Sequence, residues 1–448
     1  MEKKSNRAKG IKFEEEVKDL FDLMGYETIQ NYGLKGSEID IYAHKKGTII
    51  EEQYLIECKA YSEKIGVTIV REFLGLLSLV NNKFHGIIVS PNGFTPEAYD
   101  MTRDNKKITL ISYQQLLGKL IDFNQYLKDI IEQYEKSDVS KYYISLDCSP
   151  KNKPQRLSLE DYVQEWIYSN KKEDKLRNHL SILGDYGTGK TTFLEKLAHD
   201  LAIKYLKDPD KNRIPIFIPL RDYQKRVDIH SLITDHLVNQ HGILNGSFAI
   251  FDKLLKAGKL IILLDGFDEM AIRMDRSTME DNLRELENFV HPINKVILSC
   301  RTAYFTSRKQ EEQYLTWEHD DILAGLSSKP NFEILYILPF NKSQIKEFLR
   351  NRSNFLKEEG IYNYEEFLEK IMEIEELRDL SERPVLLDLI VRTIPKIKDK
   401  PIGEINPADL FDRYTRFWIE REERKGRRLI DIQQKRLFMS ELASHMVM

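Results

Sequence analysis

Residues 181–192 read Ser-Ile-Leu-Gly-Asp-Tyr-Gly-Thr-Gly-Lys-Thr-Thr, an apolar run followed by a glycine-rich turn, a lysine and two hydroxyl residues. A helical pattern begins directly afterwards, at Phe193. Glycines allow backbone conformations in which successive N–H groups converge on a phosphate at the start of a helix. This order is that of a P-loop, and it predicts a nucleotide site with the lysine on the phosphates and a hydroxyl on Mg²⁺. The predicted nucleotide-binding residues are Gly184, Gly187, Gly189, Lys190, Thr191 and Thr192, and Thr191 is also a predicted metal ligand.

A second apolar run ends in the sequence Asp-Gly-Phe-Asp-Glu at residues 265–269. Such a strand would bring Asp265 to the carboxyl edge of a parallel sheet beside the P-loop, where its carboxylate can orient Mg²⁺ through water. Asp268 and Glu269, just beyond it, are predicted to polarise the attacking water. A further apolar strand ends at Arg301, which is placed to sense a γ-phosphate, although a lone arginine after a strand is as often a surface residue.

The order of strand and helix patterns divides the chain. From residue 179 to residue 338 they alternate, which favours a parallel sheet covered on both faces. Residues 123–178 are charged and helical in pattern, and we expect them to form a helical connector. Residues 339–448 are again helical and charged, with breaks at prolines. Residues 8–122 read as helix, three strands, helix, strand, helix and strand, a small unit of its own. The predicted class of the chain is α/β, with an N-terminal α/β unit, a central parallel sheet with flanking helices, and a helical C-terminal region.

The central motifs resemble the NACHT branch of the STAND NTPases, over about residues 143–448. The stretches that carry the resemblance are the P-loop, Leu220-Arg221-Asp222, residues 265–269 and Ser299-Cys300-Arg301. The resemblance implies that ADP holds a closed state, that ATP permits oligomerisation, and that Pro384 packs near the adenine. It also implies a winged helix, whose start would lie at Phe411–Trp418 and Lys435–Ala443, and a C-terminal repeat sensor, before which the chain stops.

The N-terminal unit has its own constellation of charged residues. Asp40 lies on one predicted strand, and Glu57 and Lys59 lie on another. Since side chains alternate along a strand, Glu57 and Lys59 share a face while Cys58 points the other way. Carboxylates suit Mg²⁺, and a lysine beside them can orient or deprotonate an attacking water. The triplet taken alone is more often a solvated strand face than a catalytic site.

The surrounding sequence resembles the Mrr-like restriction endonucleases of the PD-(D/E)xK superfamily, over about residues 8–122. The stretches that carry this resemblance are Gly10–Glu14, Met24–Tyr26, Gly36–Asp40, Ile56–Lys59, Val70–Gly75 and Gly93–Ala98. The resemblance implies Mg²⁺-dependent cutting of DNA, with Asp40, Glu57 and Lys59 as catalytic residues. Asp40 and Glu57 would be metal ligands, and Glu14 is a candidate additional ligand.

Bulk properties limit the setting in which the chain works. Its 448 residues suggest two or three domains, and 41% hydrophobic with 31% charged residues is an ordinary globular balance. The net charge of −4 gives no overall attraction for nucleic acid, so any such binding needs local patches. Three scattered cysteines make neither a disulfide framework nor a zinc site. No signal peptide and no membrane span is recognisable, so we expect a cytoplasmic protein.

The two resemblances together imply an NTPase switched by ATP and ADP that controls a DNA endonuclease in antiviral defence. Double-stranded DNA would be the substrate, and self-association would accompany activation by an unknown ligand. Two alternatives stay open. One is a restriction enzyme in which the NTPase moves along DNA, and the other is a non-catalytic adaptor that only binds DNA or a partner.

Overall fold

The computed structural model describes residues 2–46, 51–80, 83–151, 153–169, 179–222, 229–243, 248–271, 293–304, 332–396 and 408–410, with a few single or paired residues up to 441. The sequence pattern also predicts a helix near residues 282–290, and that segment lies outside these ranges. The predicted start of the winged helix lies outside them too, apart from isolated positions. Within the described ranges, no helix combines the length and the apolar character needed to cross a membrane.

The N-terminal unit is built on a five-stranded sheet in the order β1-β2-β3-β4-β5. Strands β1 to β3 pair antiparallel, whereas β3, β4 and β5 pair parallel. The strands are β1 (Glu27–Leu34), β2 (Ser37–Lys46), β3 (Glu51–Cys58), β4 (His85–Ser90) and β5 (Ile108–Ser112). The helices are α1 (Glu2–Leu23), α2 (Val67–Ser78), α3 (Pro96–Thr102) and α4 (Tyr113–Gly118).

The two faces of this sheet are covered by different helices. Along β3, Leu55 and Ile56 point to opposite sides, as alternation in a strand requires. Ile56 joins the core formed with α1, in which Val17 and Leu20 are fully buried. Leu55 joins the core formed with α2 and α3. Strand β3 is therefore buried on both faces at Leu55 and Ile56, which form a rigid base for the side chains at its carboxyl end.

The central unit is built on a seven-stranded sheet in the order β7-β6-β12-β8-β11-β10-β9. The five strands from β12 to β9 are mutually parallel. The strands are β6 (Asp147–Pro150), β7 (Leu157–Ser158), β8 (His179–Leu183), β9 (Ile214–Pro219), β10 (Leu260–Asp265), β11 (Lys295–Cys300) and β12 (Phe332–Ile337). Strands β8, β10 and β11 are buried along their whole length, as strands of a sheet covered on both faces should be. The predicted α/β class is confirmed.

Three strands depart from the expectations drawn from the sequence. Strands β6 and β7 lie in residues 123–178, which we expected to be a helical connector, and β12 was not predicted. Strand β6 pairs antiparallel with β12, and β7 pairs with β6. The second half of the expected connector is therefore part of the central sheet. Strand β7 has two residues and β6 has four, so neither is long enough to show a periodic pattern.

Helices surround the central sheet and make up the C-terminal part. Around the sheet lie α5 (Asn124–Lys136), α6 (Asp138–Tyr142), α7 (Leu159–Tyr168), α8 (Lys190–Lys207), α9 (Ile229–Ile233), a π-helix (Thr234–Gln240), α10 (Phe248–Lys256) and α11 (Phe267–Ala271). The C-terminal part contains α12 (Lys342–Asn351), α13 (Ser353–Glu358), α14 (Tyr364–Glu373), α15 (Glu375–Ser381) and α16 (Pro384–Thr393). Short 3₁₀ turns occur at Leu220–Asp222, Thr302–Tyr304 and Ile394–Lys396.

One continuous apolar cluster, called here the shared core, joins the N-terminal and central units. Leu116 of α4 and Tyr126 of α5 belong to the same cluster as Ile216 of β9 and Phe251 of α10. The backbone N–H of Phe217, in edge strand β9, donates to the Tyr126 hydroxyl at 2.9 Å. Helix α5 therefore covers the edge of the central sheet and contacts the N-terminal unit at the same time.

Candidate functional site

Asp40 and Glu57 come together where strands β2 and β3 part. The last residue pair in this antiparallel ladder is Ile41 with Ile56, so Asp40 and Glu57 occupy the next position on each strand. The ladder does not continue there, because the backbone N–H of Cys58 donates to Asp40 Oδ2 at 2.6 Å. The Asp40 side chain thus replaces a backbone acceptor, and its carboxylate is fixed beside the end of β3.

Lys59 completes this group from the residue after β3. Its backbone N–H donates to the Val89 carbonyl at 2.9 Å, which holds it against β4. Its Nζ forms a hydrogen-bonded ion pair with Glu57 Oε1 and lies 3.8 Å from Asp40 Oδ2. The side chains of Asp40, Glu57 and Lys59 are each about one-fifth exposed (21%, 19% and 22%), so they are reachable from solvent but largely shielded. Cys58 is buried against the α1 core, as strand alternation predicts.

The carboxylates of this group repel one another. Burial raises the pKa of Asp40 and of Glu57, and the Asp40 charge raises the pKa of Glu57 further. Burial also raises the pKa of Glu14 on α1, and again the Asp40 charge adds to the effect. For Lys59, burial alone would lower the pKa, but the hydrogen bond and charge of Glu57, together with the Asp40 charge, outweigh it and raise the pKa. The three carboxylates therefore carry more negative charge than Lys59 neutralises.

This donor set can be compared with what a divalent metal ion needs. Over the described part of the chain, no group of three His, Cys, Asp or Glu side chains is arranged as a ready ligand cage. Mg²⁺ seldom uses such a cage, and is held by one or two carboxylates together with waters and substrate phosphates. Asp40 and Glu57 offer two hard oxygen ligands at one point, where their mutual repulsion would be relieved by a cation. These two residues fit a divalent ion, while Glu14 as a third ligand stays a prediction.

The P-loop connects β8 to α8, as the sequence predicts. Gly187 and Gly189 have φ angles of 77° and 99°, in the left-handed region that favours glycine. Lys190, the first residue of α8, curls back so that its Nζ donates to the carbonyls of Gly184 at 2.7 Å and Asp185 at 3.0 Å. Burial lowers the pKa of Lys190, and the charge of Asp268 partly offsets this. The ammonium group is thus held at the mouth of the loop by backbone oxygens.

Thr191 and Asp265 meet across the loop. Thr191 Oγ1 donates to Asp265 Oδ2 at 2.8 Å, and the Ser299 hydroxyl donates to Asp265 Oδ1 at 2.6 Å. The backbone N–H of Gly266 in turn donates to Ser299 Oγ at 2.9 Å. A hydroxyl and a carboxylate held side by side are hard oxygen ligands that suit Mg²⁺. The contact of Ser299 with Asp265 was not predicted, although the position of Ser299 near the end of the neighbouring strand, two residues before Arg301, could have suggested it.

Arg301 is paired with the two acids predicted to act on water. Its Nε lies 2.8 Å from Asp268 Oδ2, its backbone N–H donates to Asp268 Oδ1 at 2.9 Å, and its terminal nitrogen lies 3.6 Å from Glu269 Oε1. The guanidinium also lies over the ring of Tyr186, 5.3 Å from its centroid. Arg301 therefore lies beside the P-loop residue Tyr186, and in this conformation its guanidinium is engaged by carboxylates.

A cavity of about 140 Å³ opens beside the loop. Gly189 and Thr192 form its P-loop wall, and Pro384 and Val385 at the start of α16 form the opposite wall. The backbone N–H of Val385 donates to the Gly187 carbonyl at 3.3 Å, which ties α16 to the loop. The remaining wall residues were not predicted from the sequence and include Tyr142, Phe348, Arg352 and Asp388.

Two family profiles match the chain. A profile described as a restriction endonuclease, the Mrr catalytic domain, matches residues 5–120. A profile described as a NACHT domain matches residues 178–354. The chain joins a restriction endonuclease domain to a NACHT domain. Both are enzyme domains, and domains of these two kinds work with a divalent metal ion and with a nucleotide.

Individual relatives cover the chain to different extents. An uncharacterised WD repeat-containing protein of Nostoc sp. is 31% identical over 386 residues, which are 81% of this chain and 24% of that protein. The chain thus spans about a quarter of the length of that curated relative. Among solved structures, it is similar to AF1548, a protein of unknown function (20% identity, 29% of this chain and 86% of that one, TM-score 0.22). It is also similar to the Aeropyrum pernix ORC1 protein in complex with DNA (15% identity, 62% and 75%, TM-score 0.33).

Proposed function

We propose that the chain is an ATP- and ADP-switched NTPase that controls a Mg²⁺-dependent DNA endonuclease in antiviral defence. The observation that carries the nuclease part is the convergence of Asp40, Glu57 and Lys59 where β2 and β3 separate. The covalent union of a nucleotide-binding module with a hydrolase that would damage the cell if left unregulated supports a switch. We place this activity in the cytoplasm, where invading DNA and cellular nucleotides are both present.

In the nuclease domain, Asp40 and Glu57 would hold Mg²⁺. When bound, the ion supplies positive charge against the scissile phosphate and makes water a better nucleophile. The Cys58 N–H keeps Asp40 oriented, so the ligand geometry is set before DNA arrives. Lys59 would exchange its contact with Glu57 for the phosphate, where its charge stabilises the negative charge that develops as the phosphodiester bond breaks. Glu14 is proposed as an additional ligand, since it faces the same acidic group.

In the NACHT domain, Thr191 and Asp265 would hold the Mg²⁺ that accompanies the nucleotide. Lys190 would leave the Gly184 and Asp185 carbonyls for the phosphates, and backbone N–H groups from Gly187 to Thr192 would surround them. The base would occupy the cavity against Pro384.

Asp268 and Glu269 would polarise the attacking water. A γ-phosphate would compete with Asp268 for the Arg301 guanidinium. Binding of ATP would therefore break the ion pair between Arg301 and Asp268, whereas ADP would leave it intact. This exchange is the proposed difference between the ATP and ADP states.

The shared core supplies a physical connection between the two sites. Helix α5 packs on α8, the helix that begins at the P-loop, and its Tyr126 lies in the core that includes the nuclease helices. A shift of α8 on nucleotide exchange would therefore displace α5 and, through the shared core, the helices of the nuclease domain. We propose that ATP-driven self-association then brings nuclease domains together, so that two sites cut the two strands of double-stranded DNA.

The test is to incubate the purified chain with plasmid DNA, Mg²⁺ and either ATP or ADP, and to follow cleavage on gels and assembly by light scattering. The proposal expects cleavage and assembly with ATP, neither with ADP, and no cleavage with EDTA. ATP hydrolysis that DNA stimulates continuously would instead indicate an enzyme that moves along DNA. DNA binding without metal-dependent cleavage would indicate an adaptor.

A further inference from the structure

One residue inside strand β1 has a backbone conformation that regular strands do not use. Asn31 has a φ of 52°, in the left-handed region. Within the described part of the chain, the other non-glycine residue with a positive φ is Lys35, at 45°. Lys35 and Gly36 are the two central residues of the β1–β2 hairpin, where a tight turn requires positive φ angles. Asn31 lies in the interior of a strand, so its conformation needs another explanation.

The strand pairing is interrupted at the same position. The pairs between β1 and β2 run without a gap up to Gln30 of β1 and resume at Tyr32. The omitted position is Asn31, which stands opposite Asp40 of β2. On its other side, β2 begins its pairing with β3 only at Ile41. Within these three described strands, the backbone of Asp40 therefore lies outside both ladders, although β2 continues through it.

The side chains of β2 change faces across Asp40. Residues two apart on a regular strand share a face, so Ile39 and Ile41 should pack on the same side of the sheet. Ile41 packs in the core formed with α1, but Ile39 packs in the core formed with α2 and α3. On β1, Tyr32, which pairs with Ile39, also packs against the core formed with α2 and α3. The two strands are therefore rotated together at Asn31 and Asp40.

This local rotation accounts for the direction of the Asp40 carboxylate. In an undisturbed strand, the side chain at this position would point into one of the two cores. The Asp40 carboxylate instead reaches along the sheet to β3, where it accepts from the Cys58 N–H at 2.6 Å. We propose that Asn31 is a positioning residue of the nuclease site, whose left-handed backbone conformation orients Asp40 for the metal ion. The inference rests on the proposed nuclease function and adds to it a residue outside the acidic group.

The rotated backbone determines which oxygen of Asp40 a cation can reach. Oδ2 accepts from the Cys58 N–H and lies 3.8 Å from Lys59 Nζ. Among the described residues, no donor is hydrogen-bonded to Oδ1, so this oxygen is available to a cation. If Asn31 returned to a strand conformation, Asp40 would pair with it like any other residue of β2. The Asp40 carboxylate would then turn toward one of the cores, and the metal site would lose a ligand.

Asparagine suits this position better than other residues that have a side chain. It adopts the left-handed conformation several times more often than most non-glycine residues. Valine is common in strands, but its branched Cβ makes a positive φ strongly unfavourable. Asn31 is exposed, so its side chain can be changed without opening a cavity in either core. Substitutions at Asn31 therefore change the backbone preference and have little effect on packing.

The test compares Asn31→Gly, which keeps the left-handed conformation, with Asn31→Val, which disfavours it. The affinity of the nucleotide-free chain for Mn²⁺, which also takes carboxylate ligands, is measured by calorimetry. The hydrogen-exchange rate of the Cys58 amide is measured by mass spectrometry of overlapping peptides. Asn31→Val should bind Mn²⁺ about tenfold more weakly, as is usual when the support of a metal ligand is lost, and its Cys58 amide should exchange about tenfold faster. Asn31→Gly should stay within about twofold of the wild type in both measurements.

Lys35→Val is the matched control, because it puts the same unfavourable residue at the other left-handed position of the hairpin. It also removes the hydrogen bond from Lys35 Nζ to the Leu79 carbonyl, so it should lower the melting temperature at least as much as Asn31→Val. Its Mn²⁺ affinity and Cys58 exchange should equal those of the wild type. Equal losses in Lys35→Val and Asn31→Val would mean that only hairpin stability matters, and the inference would be wrong.

Two other outcomes would also overturn the inference. One is an Asn31→Gly variant that loses as much as Asn31→Val, because the amide side chain and not the backbone would then be required. The other is an Asn31→Val variant that matches the wild type in both measurements. If the wild type neither binds Mn²⁺ nor cuts DNA with Mg²⁺, the proposed nuclease function itself is wrong. Exchange of the Cys58 amide needs no metal, so it still shows in that case whether Asn31 positions Asp40.

Discussion

The nuclease site and the nucleotide site use the same elements in opposite ways. Each has a lysine beside an acidic residue near the carboxyl end of a central strand. Lys59 pairs with the carboxylates, which raise its pKa, whereas Lys190 donates to two backbone carbonyls and has its pKa lowered by burial. In the nuclease site, the side chains carry excess negative charge, which favours binding of a cation. In the nucleotide site, backbone N–H groups are arranged to bind an anion. The comparison shows that the groups around a lysine determine which ligand a site suits. Carboxylates around Lys59 suit a cation, whereas the backbone groups around Lys190 suit an anion.

The largest expected effect is that of Lys59→Ala, which should impair the nuclease site and leave the nucleotide site intact. The plasmid cleavage rate should fall by about a hundredfold to a thousandfold, because a charge aimed at the reacting phosphate is lost. Nucleotide affinity should stay unchanged. Lys83→Ala, which removes an exposed lysine before the amino end of β4, is the matched control and should cleave normally. Equal cleavage by Lys59→Ala and the wild type would contradict the catalytic role.

The converse change, Lys190→Ala, should impair the nucleotide site. ATP affinity should fall by about tenfold to a hundredfold, since charge-assisted hydrogen bonds to the phosphates are worth about 1.5–3 kcal/mol. A fluorescent nucleotide titration measures this. Lys207→Ala, at the exposed far end of the same helix, should bind ATP like the wild type. Unchanged affinity in Lys190→Ala would remove the P-loop assignment.

A third change tests whether the nucleotide site depends on its backbone. In Gly187→Ala, the new Cβ would lie 2.7 Å from Val385 Cγ1, and a side chain would have to adopt a φ of 77°. The left-handed conformation costs about 1–2 kcal/mol for a residue with a Cβ. Calorimetric unfolding should therefore show lower stability. Gly75→Ala in α2, where a Cβ meets nothing within 4 Å, should be neutral or slightly stabilising. Similar results for both variants would mean that the loop conformation is not required.

The smallest expected effect is at the junction of the two domains. Tyr126→Phe deletes the acceptor for the Phe217 N–H and should lower the free energy of unfolding by about 1 kcal/mol. Tyr362→Phe, at a tyrosine that is 80% exposed, is the control and should leave it unchanged. Denaturant titrations of both variants measure this difference. A Tyr126→Phe variant as stable as the wild type would mean that the hydrogen bond does not hold α5 against β9.

The sequence predicted the parts of the fold whose patterns are local. The P-loop, the buried strand before Asp265 and the strands around Asp40 and Glu57 each show a periodic or motif signal, and the α/β class is confirmed. Strands β6, β7 and β12 were missed. The first two are short and pair only because distant residues provide a partner strand, which no local pattern reveals.

The residues of the candidate sites also fall into those that could be predicted from the sequence and those that could not. Strand alternation predicted that Glu57 and Lys59 share a face, and the resemblance to Mrr-like endonucleases added Asp40; the structure places the three side chains together. Gly189, Thr192 and Pro384 in the cavity wall were predicted, but the wall residues from α6 and α12 look ordinary in the sequence and could not be foreseen. Arg352 and Asp388 are 36 positions apart, and only the packing of α16 against the turn between α12 and α13 makes them neighbours. The residue roles themselves stay predictions.

The shared core has a consequence for attempts to join a different N-terminal domain to this NACHT domain. A recombination breakpoint just before α5 would keep Tyr126 on β9 but strip away Leu116 and the helices packed beside it. A breakpoint after α6 would remove Tyr126 as well and leave Ile216 and Phe251 uncovered. Any incoming effector would therefore have to bring its own apolar cover for that edge, so these two modules are expected to be inherited together.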